Sequence, residues 1–414
     1  MNAAIRAGNR WRIDHSRVIA LAGAGAAVAV TLIQIDFLLR PGLPGVLRGL
    51  AQHGFVLGLL LILTARSRTV SLPTLGGFWL VGLWAVYFLA YLIQAPLGAL
   101  FGTELSNEVV GGRLVQTRDT FVPVYWAPFV EETLKLAPVL IFYLLACRGG
   151  RCQPSMSDGL LLGFMVGAGV SFHEDAHVAR VFTSGAGWAA ASPWTAIFLT
   201  VTPVGDLFVL NHALWGALSG LTIGVAMMFR HRRFASAIAL IGPLLALSNH
   251  MMNNHFAGNV LGQLGRADVP WLFATIRSLT NDGKLPMQAL IVGGLIVAIG
   301  DWLILRWVGR RDQMFPPMPA AHIVSLVKEA NSLVGLRRLN AAERYLRLRR
   351  TVYFAGWRAR AAGGSPTVSY ACFAELKSLF ARASLPLAQT AEPRALAPGS
   401  PVPEAPVADV PHET

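Results

Sequence analysis

Residues 124–147 read VYWAPFVEETLKLAPVLIFYLLAC. A run of this length, mostly apolar, is long enough to cross about 30 Å of hydrocarbon as one helix. Yet it carries Glu131, Glu132 and Lys135 in its first half. Ionisable side chains are expensive inside a bilayer, so a run that keeps three of them points to a working site rather than to a plain anchor.

Seven further stretches have the length and apolarity of spans: 18–39, 47–65, 76–101, 159–182, 204–229, 235–258 and 285–308. The whole reads as an all-α polytopic membrane protein of about eight transmembrane helices. Composition agrees: of 414 residues, 54% are hydrophobic and 14% charged, where soluble domains carry about a quarter charged. Mean hydropathy is +0.51. These values exclude a soluble globular enzyme, a disordered chain and a disulfide scaffold. The three cysteines, Cys147, Cys152 and Cys372, are too scattered for a thiolate metal site. The net charge of +13 does not point to nucleic acid, because the cations flank apolar runs or gather in the last hundred residues.

Those cations set the orientation. Arg6 to Arg17, Arg66 and Arg68, Arg148 and Arg151, Arg230 to Arg233, and Arg310 and Arg311 fall in alternate loops, whereas 184–195 has no Lys or Arg. The arginine-bearing loops are therefore expected on the cytoplasmic side, with both termini. Five regions follow: 1–119 with the first three spans, 120–260 as a four-helix core, 261–311 as an outer loop and the last span, 312–385 as a basic amphipathic cytoplasmic segment, and 386–414 as an Ala/Pro-rich tail expected to be disordered. Basic amphipathic helices beside a membrane are expected to lie on its anionic inner leaflet.

The core concentrates the polar residues. The next span, DGLLLGFMVGAGVSFHEDAHV (158–178), brings His173, Glu174, Asp175 and His177; NHALWGALSG (211–220) brings His212; LALSNHMMNNHFAG (245–258) brings Asn249, His250 and Asn254. If each span runs to its hydropathy limit, Glu131, Glu174, His212 and His250 all sit about 10–12 Å below the outer face, because a helix rises 1.5 Å per residue. A shared depth predicts a shared site. Glu131 and Lys135 are expected to pair at i, i+4, with Glu132 reaching the same lysine at i+3. One cation cannot neutralise two carboxylates, so the second is left to hold a proton or to find another partner, as a general base would. His173-Glu174-x-x-His177 also spells the zinc-protease pattern, while Asp301 is expected to form an ion pair with the arginines near its helix end.

Taken together, these motifs resemble a known family. Glu131-Glu132-Thr133-Leu134-Lys135 is similar to the EExxK motif of the PrsW-type intramembrane proteases, relatives of the CAAX-prenyl endopeptidases and bacteriocin-processing membrane proteases. Asp158-Gly159 leading through Gly163, Gly167 and Gly169 to Glu174 resembles the second motif, His212-Ala213 with Gly216 and Gly220 the third, and His250 with Asn254 the fourth. The resemblance covers roughly 120–260. It departs at Asp175, where the family has Asn, and His173 and His177 are not part of the pattern.

The resemblance implies an intramembrane endopeptidase acting on membrane-anchored proteins, such as anti-sigma-factor-like regulators, in a bacterial-type plasma membrane. It implies a catalytic set of Glu131, Glu132, Lys135, Glu174, His212, His250 and Asn254. One of the paired glutamates would activate water with Lys135 fixing the pair, Glu174 would orient the water, and His212, His250 and Asn254 would stabilise the oxyanion. The alternative is a zinc enzyme using His212, His250 and Glu174, less favourably His173 and His177. Readings of another class are a proton-coupled transporter, whose polar sites usually lie at the membrane midplane, and a sensor or scaffold acting through its cytoplasmic segment.

Overall fold

The computed structural model describes residues 42–101, 106–110, 113–117, 125–148, 153–183, 201–204, 207–262, 271–311, 320–330, 332–363 and 370–384. The span expected at 18–39 and the tail beyond 384 lie outside them. The chain divides into two units, Met1–Phe315 with Arg347–Cys372, and Pro316–Leu346 with Phe373–Thr414.

The described residues of the first unit are mostly helical, with two short antiparallel strand pairs. The unit contains α1 (Gly42–Thr64), α2 (Leu72–Leu80), a π-helical turn (Val81–Val86), α3 (Tyr87–Phe101), α4 (Ala127–Arg148), α5 (Met156–Thr183), α6 (His212–Met228), α7 (Ala235–Gly262), α8 (Trp271–Leu279) and α9 (Lys284–Arg311). Strands β1 (Ser106–Val110) and β2 (Arg113–Thr117) form one antiparallel pair, β3 (Val201–Val204) and β4 (Leu207–Leu210) the other. Among the described residues, three stretches are long and apolar enough to cross a membrane, Leu72–Pro96, Ala235–His255 and Ala274–Arg310; shorter apolar helices cover His53–Thr64, Met156–Phe172 and His212–Met228.

At the centre lies α5, buried over Met156–Phe172. Its glycines explain how it is enclosed. A side-chain carbon on Gly163 would strike the carbonyl oxygen of Gly216, and one on Gly216 would strike that of Gly163. The backbones of α5 and α6 thus touch along an antiparallel crossing that only small residues permit. Gly167, one turn further, meets the carbonyl oxygen of His212. On its other side α5 packs on α2 and the π-turn, where Leu83, Trp84 and Phe172 form a buried apolar cluster backed by Trp79.

One end of this unit is tied by two buried aspartates. Asp158 accepts from Thr69 N (3.0 Å), Thr69 Oγ1 (2.5 Å), Val70 N (3.2 Å) and Ser155 N (2.8 Å), fastening the α1–α2 connection to the start of α5. Asp301 of α9 accepts from Met156 N (3.2 Å), Ser157 N (2.8 Å) and Ser157 Oγ (2.6 Å). The expected ion pair with arginine is therefore corrected: Asp301 satisfies the free N–H groups that begin α5, which a carboxylate at a helix N-terminus does well.

Two further expectations change. The sixth span, expected over 204–229, is a helix only from His212; residues 201–204 and 207–210 are the paired strands β3 and β4. The sequence TVTPVGDLFV carries β-branched residues, a proline and an intervening Gly-Asp, which are hairpin signals that a hydropathy window averages away. The basic segment is also more than a surface helix. It forms α10 (Ala320–Glu329), α11 (Leu333–Ala361) and α12 (Tyr370–Ser384). The second half of α11 belongs to the first unit, where Arg350 Nη1 donates to the Arg68 carbonyl (2.8 Å), Trp357 meets Phe229 edge-on (5.5 Å) and the Arg360 guanidinium lies over Trp307 (5.8 Å). In the second unit α10, the first half of α11 and α12 bury Leu326, Tyr345, Leu376 and Leu379. Ser332 caps α11 by accepting from Gly335 N (3.0 Å), and Arg344 pairs with Glu375.

Candidate active site

Glu131, Glu132 and Lys135 lie in the first turns of α4. Glu132 and Lys135 are almost fully buried and Glu131 nearly so, its side chain 12% exposed. Lys135 Nζ donates to Glu132 Oε1 (2.5 Å) and to His212 Nδ1 (2.7 Å). The i+3 pairing is therefore present, while the expected i, i+4 pairing of Lys135 with Glu131 is not among the ion pairs of the described residues. The lysine instead reaches across to α6, and Glu131 turns to two other neighbours.

His212 is presented by the hairpin rather than by a long helix. It is the first residue of α6; Asn211 before it caps the helix, its side chain accepting from Leu214 N (3.1 Å). Leu210 N, at the end of β4, donates to Asn249 Oδ1 of α7 (2.9 Å), and Trp215 Nε1 donates to the same oxygen (2.8 Å). The placement of His212 eight residues inside a span is thereby corrected. Its position comes from the hairpin, the cap and the Gly167 contact.

His250 comes from the next residue of α7. Its Nδ1–H donates to Glu132 Oε1 (2.9 Å), which leaves Nε2 with a lone pair facing Glu131 Oε2 at 3.8 Å. The Trp215 indole stacks on the His250 ring (4.1 Å between centroids, 15° between planes) and meets His212 edge-on at 4.7 Å. Lys135 lies 5.3 Å from the same indole. Asn249, Trp215 and Glu132 thus hold the two imidazoles at right angles, 4.7 Å apart.

The two carboxylates have different surroundings. Glu132 Oε1 is committed to Lys135 and His250. Glu131 Oε1 accepts from Gln94 Nε2 of α3 (2.8 Å), while its Oε2, although buried, has no hydrogen-bond partner among the described residues. That oxygen faces His250 Nε2 at 3.8 Å and His212 Nδ1 at 3.9 Å, both too long for hydrogen bonds. Two of the three converging atoms are acceptors outright, and the third, His212 Nδ1, already accepts from Lys135. Whatever stands between them must be a donor, such as water, or a cation.

A metal ion passes that test. One ligand atom each from Glu131, His212 and His250 lie within 4.8 Å of one another. Glu132 would serve as the outer carboxylate that fixes the His250 tautomer, a usual feature around metal-bound imidazole. Lys135 competes for the His212 nitrogen, so a metal there would need the lysine to turn wholly to Glu132. Among the described residues the carboxylate of this group is Glu131. The side chains of His173, Glu174, Asp175 and His177 lie outside the described residues. Asn254, one turn beyond His250, is half-buried and accepts from Asn253 Nδ2 (3.3 Å).

Gln94 and Trp215 were not among the residues expected from sequence, and Asn249 carried no assigned role. Gln94 had a readable signal, being the one amide in the apolar run 76–101. Trp215 and Asn249 had none, since an indole or an amide beside a histidine acquires its partner only from the fold.

A protein-family model described as "PrsW family intramembrane metalloprotease" matches residues 71–277, half of the chain. The match takes in α2 to α7 and every residue of the cluster, Gln94 included. No curated protein and no solved structure matches the chain.

Proposed function

This chain belongs to the PrsW family of intramembrane proteases, and from that premise we propose that Glu131 is the general base that activates water for hydrolysis of a peptide bond. An intramembrane protease implies a membrane-embedded protein substrate and a lipid bilayer around it. The observation that carries the reading is Glu131 Oε2, buried, without a hydrogen-bond partner among the described residues and turned towards two imidazoles.

Attack on a peptide carbonyl needs a group that takes a proton from water and another that stabilises the negative charge formed on the carbonyl oxygen. Glu131 Oε2 is placed to take the proton. Glu132 is unsuited, because its Oε1 already receives Lys135 and His250. Lys135 holds Glu132 and His212 together and places a positive charge beside the reacting centre. His212 and His250 line the opposite side, and Asn254, on the same helix as His250, is offered as a further donor to the oxyanion. Glu174 is proposed to orient the water. The proton that Glu131 takes from water is then available to the leaving amine. In the alternative with metal, Glu131, His212 and His250 would hold a divalent ion such as zinc, which would make water more acidic and polarise the carbonyl, and Glu131 would then be a ligand in place of the base.

The proposed setting is a bacterial-type plasma membrane crossed about eight times, with substrates among membrane-anchored regulators such as anti-sigma factors. Arg66, Arg230, Arg232, Arg233 and Arg310 are exposed and belong to the end of the first unit that Asp158 and Asp301 tie together. This supports the proposal of a cytoplasmic, anionic-lipid-facing end, and with it of a site nearer the outer side.

The test is cleavage of a membrane-anchored reporter by protein reconstituted in liposomes, with metal analysis of the same samples. Glu131→Gln is expected to lower the rate by about a hundred- to ten-thousand-fold while the protein stays folded. Wild-type cleavage by Glu131→Gln would end the reading. Bound zinc that disappears in His250→Ala would place the metal in the site.

A further inference from the structure

Among the described residues outside the four motif helices, Gln94 reaches the cluster. Gln94 lies on α3, whose neighbouring residues Tyr91, Leu92 and Ile93 are 61%, 49% and 40% exposed, a face suited to lipid. Gln94 itself is half-buried, and Ala90, one turn earlier on the same face, is buried against the protein. An amide in hydrocarbon must find a partner within the protein. Gln94 finds it in Glu131 Oε1, to which Nε2 donates at 2.8 Å.

We propose that Gln94 is the positioning residue of the catalytic carboxylate, acting by the hydrogen bond that pins Glu131 Oε1 and leaves Oε2 turned to His212 and His250. The inference rests on the reading of Glu131 as the base and adds how that base is oriented. A glutamate side chain has three rotatable bonds, and Lys135, one turn along the same helix, is taken by Glu132 and His212. Without Gln94 nothing among the described residues would stop Glu131 from turning an oxygen towards Lys135, the i, i+4 pairing that its spacing invites. With Gln94 in place, one oxygen is engaged from the α3 side and the other is presented to the imidazoles. Only a donor can do this. The amide is neutral, so it orders the carboxylate without adding the second positive charge that would tie up both oxygens.

The test compares Gln94→Leu, which keeps much of the volume without the donor, with Gln94→Glu, which puts an acceptor where the donor was. Kinetics use a quenched-fluorescence single-span peptide in liposomes. Gln94→Leu is expected to lower kcat by about ten- to a hundred-fold, as loss of an outer-shell partner does, with KM within about twofold and thermal stability unchanged. Gln94→Glu should fall further. In a Glu131→Gln background the Gln94→Leu change should have no additional effect, because its route to the reaction is gone. Infrared difference spectra, wild type minus Glu131→Gln, isolate the Glu131 carboxylate band; that band should shift in Gln94→Leu, a readout that needs no substrate. A shift together with the kcat loss supports the assignment. An unmoved band, an unchanged kcat, or a faster Gln94→Leu enzyme overturns it. Should Glu131→Gln itself cleave normally, the base assignment fails first and separately.

Discussion

Glu131 and Glu132 are adjacent in sequence and face different partners, because successive residues on a helix point about 100° apart. Glu132 meets Lys135 on its own helix and His250 on α7; Glu131 meets Gln94 on α3 and faces both imidazoles. Lys135 joins the structural half of this arrangement to His212. Its removal leaves a buried carboxylate without its cation, which typically costs about 3–5 kcal/mol. Lys135→Met is therefore expected to melt well below wild type in detergent, whereas Glu131→Gln, which loses no ion pair closer than 3.8 Å, should melt near it. Equal melting temperatures for the two would contradict the division of roles. The presence of Glu-Glu-Lys was legible in sequence, along with the conflict of two carboxylates over one cation. Which glutamate the lysine takes was not, since that choice depends on His212 and Gln94, 77 and 37 residues away from their partners.

The helices act on the site through the glycines of α5. Gly159 meets Gly220 and Gly224 near the far end of α6, while Gly167 meets the backbone of His212 and Ala213 at the site end. Adding a methyl at either position overpacks the same crossing, a change that costs about 1–3 kcal/mol. Gly159→Ala and Gly167→Ala should thus lose similar stability, but Gly167→Ala should lose more of its cleavage rate, since it displaces the residue that begins α6. Equal residual activity at matched stability would show that the crossing does not position His212. The helices α4, α5, α7 and α9 lie close to the stretches that hydropathy marks. The hairpin over 201–210 does not. Hydropathy registers that a segment is apolar and is blind to its backbone, whereas Pro203 and the Gly205-Asp206 pair carry the information about the turn.

At the level of the whole molecule, the basic C-terminal region is divided between two units. Residues from 347 onwards in α11 contribute to the first, with Phe354 fully buried and Tyr353 nearly so. Phe354→Ala is expected to destabilise that unit by about 3–5 kcal/mol, as a large-to-small change in a core does, and to lower its melting temperature in detergent. An unchanged melt would mean that this half of α11 is a surface helix after all. Amphipathic spacing with many arginines fits a lipid surface and a protein surface equally well, so the docking could not be read from the sequence. Membrane residence and the helical class were determined by composition and local spacing, because hydrophobic length and helical periodicity are properties of a segment alone. The start of α6 at a hairpin, the partner of each carboxylate and the orientation of Glu131 by Gln94 were decided only by tertiary structure, because a buried polar atom takes its partner from whichever neighbour packing brings within about 3 Å.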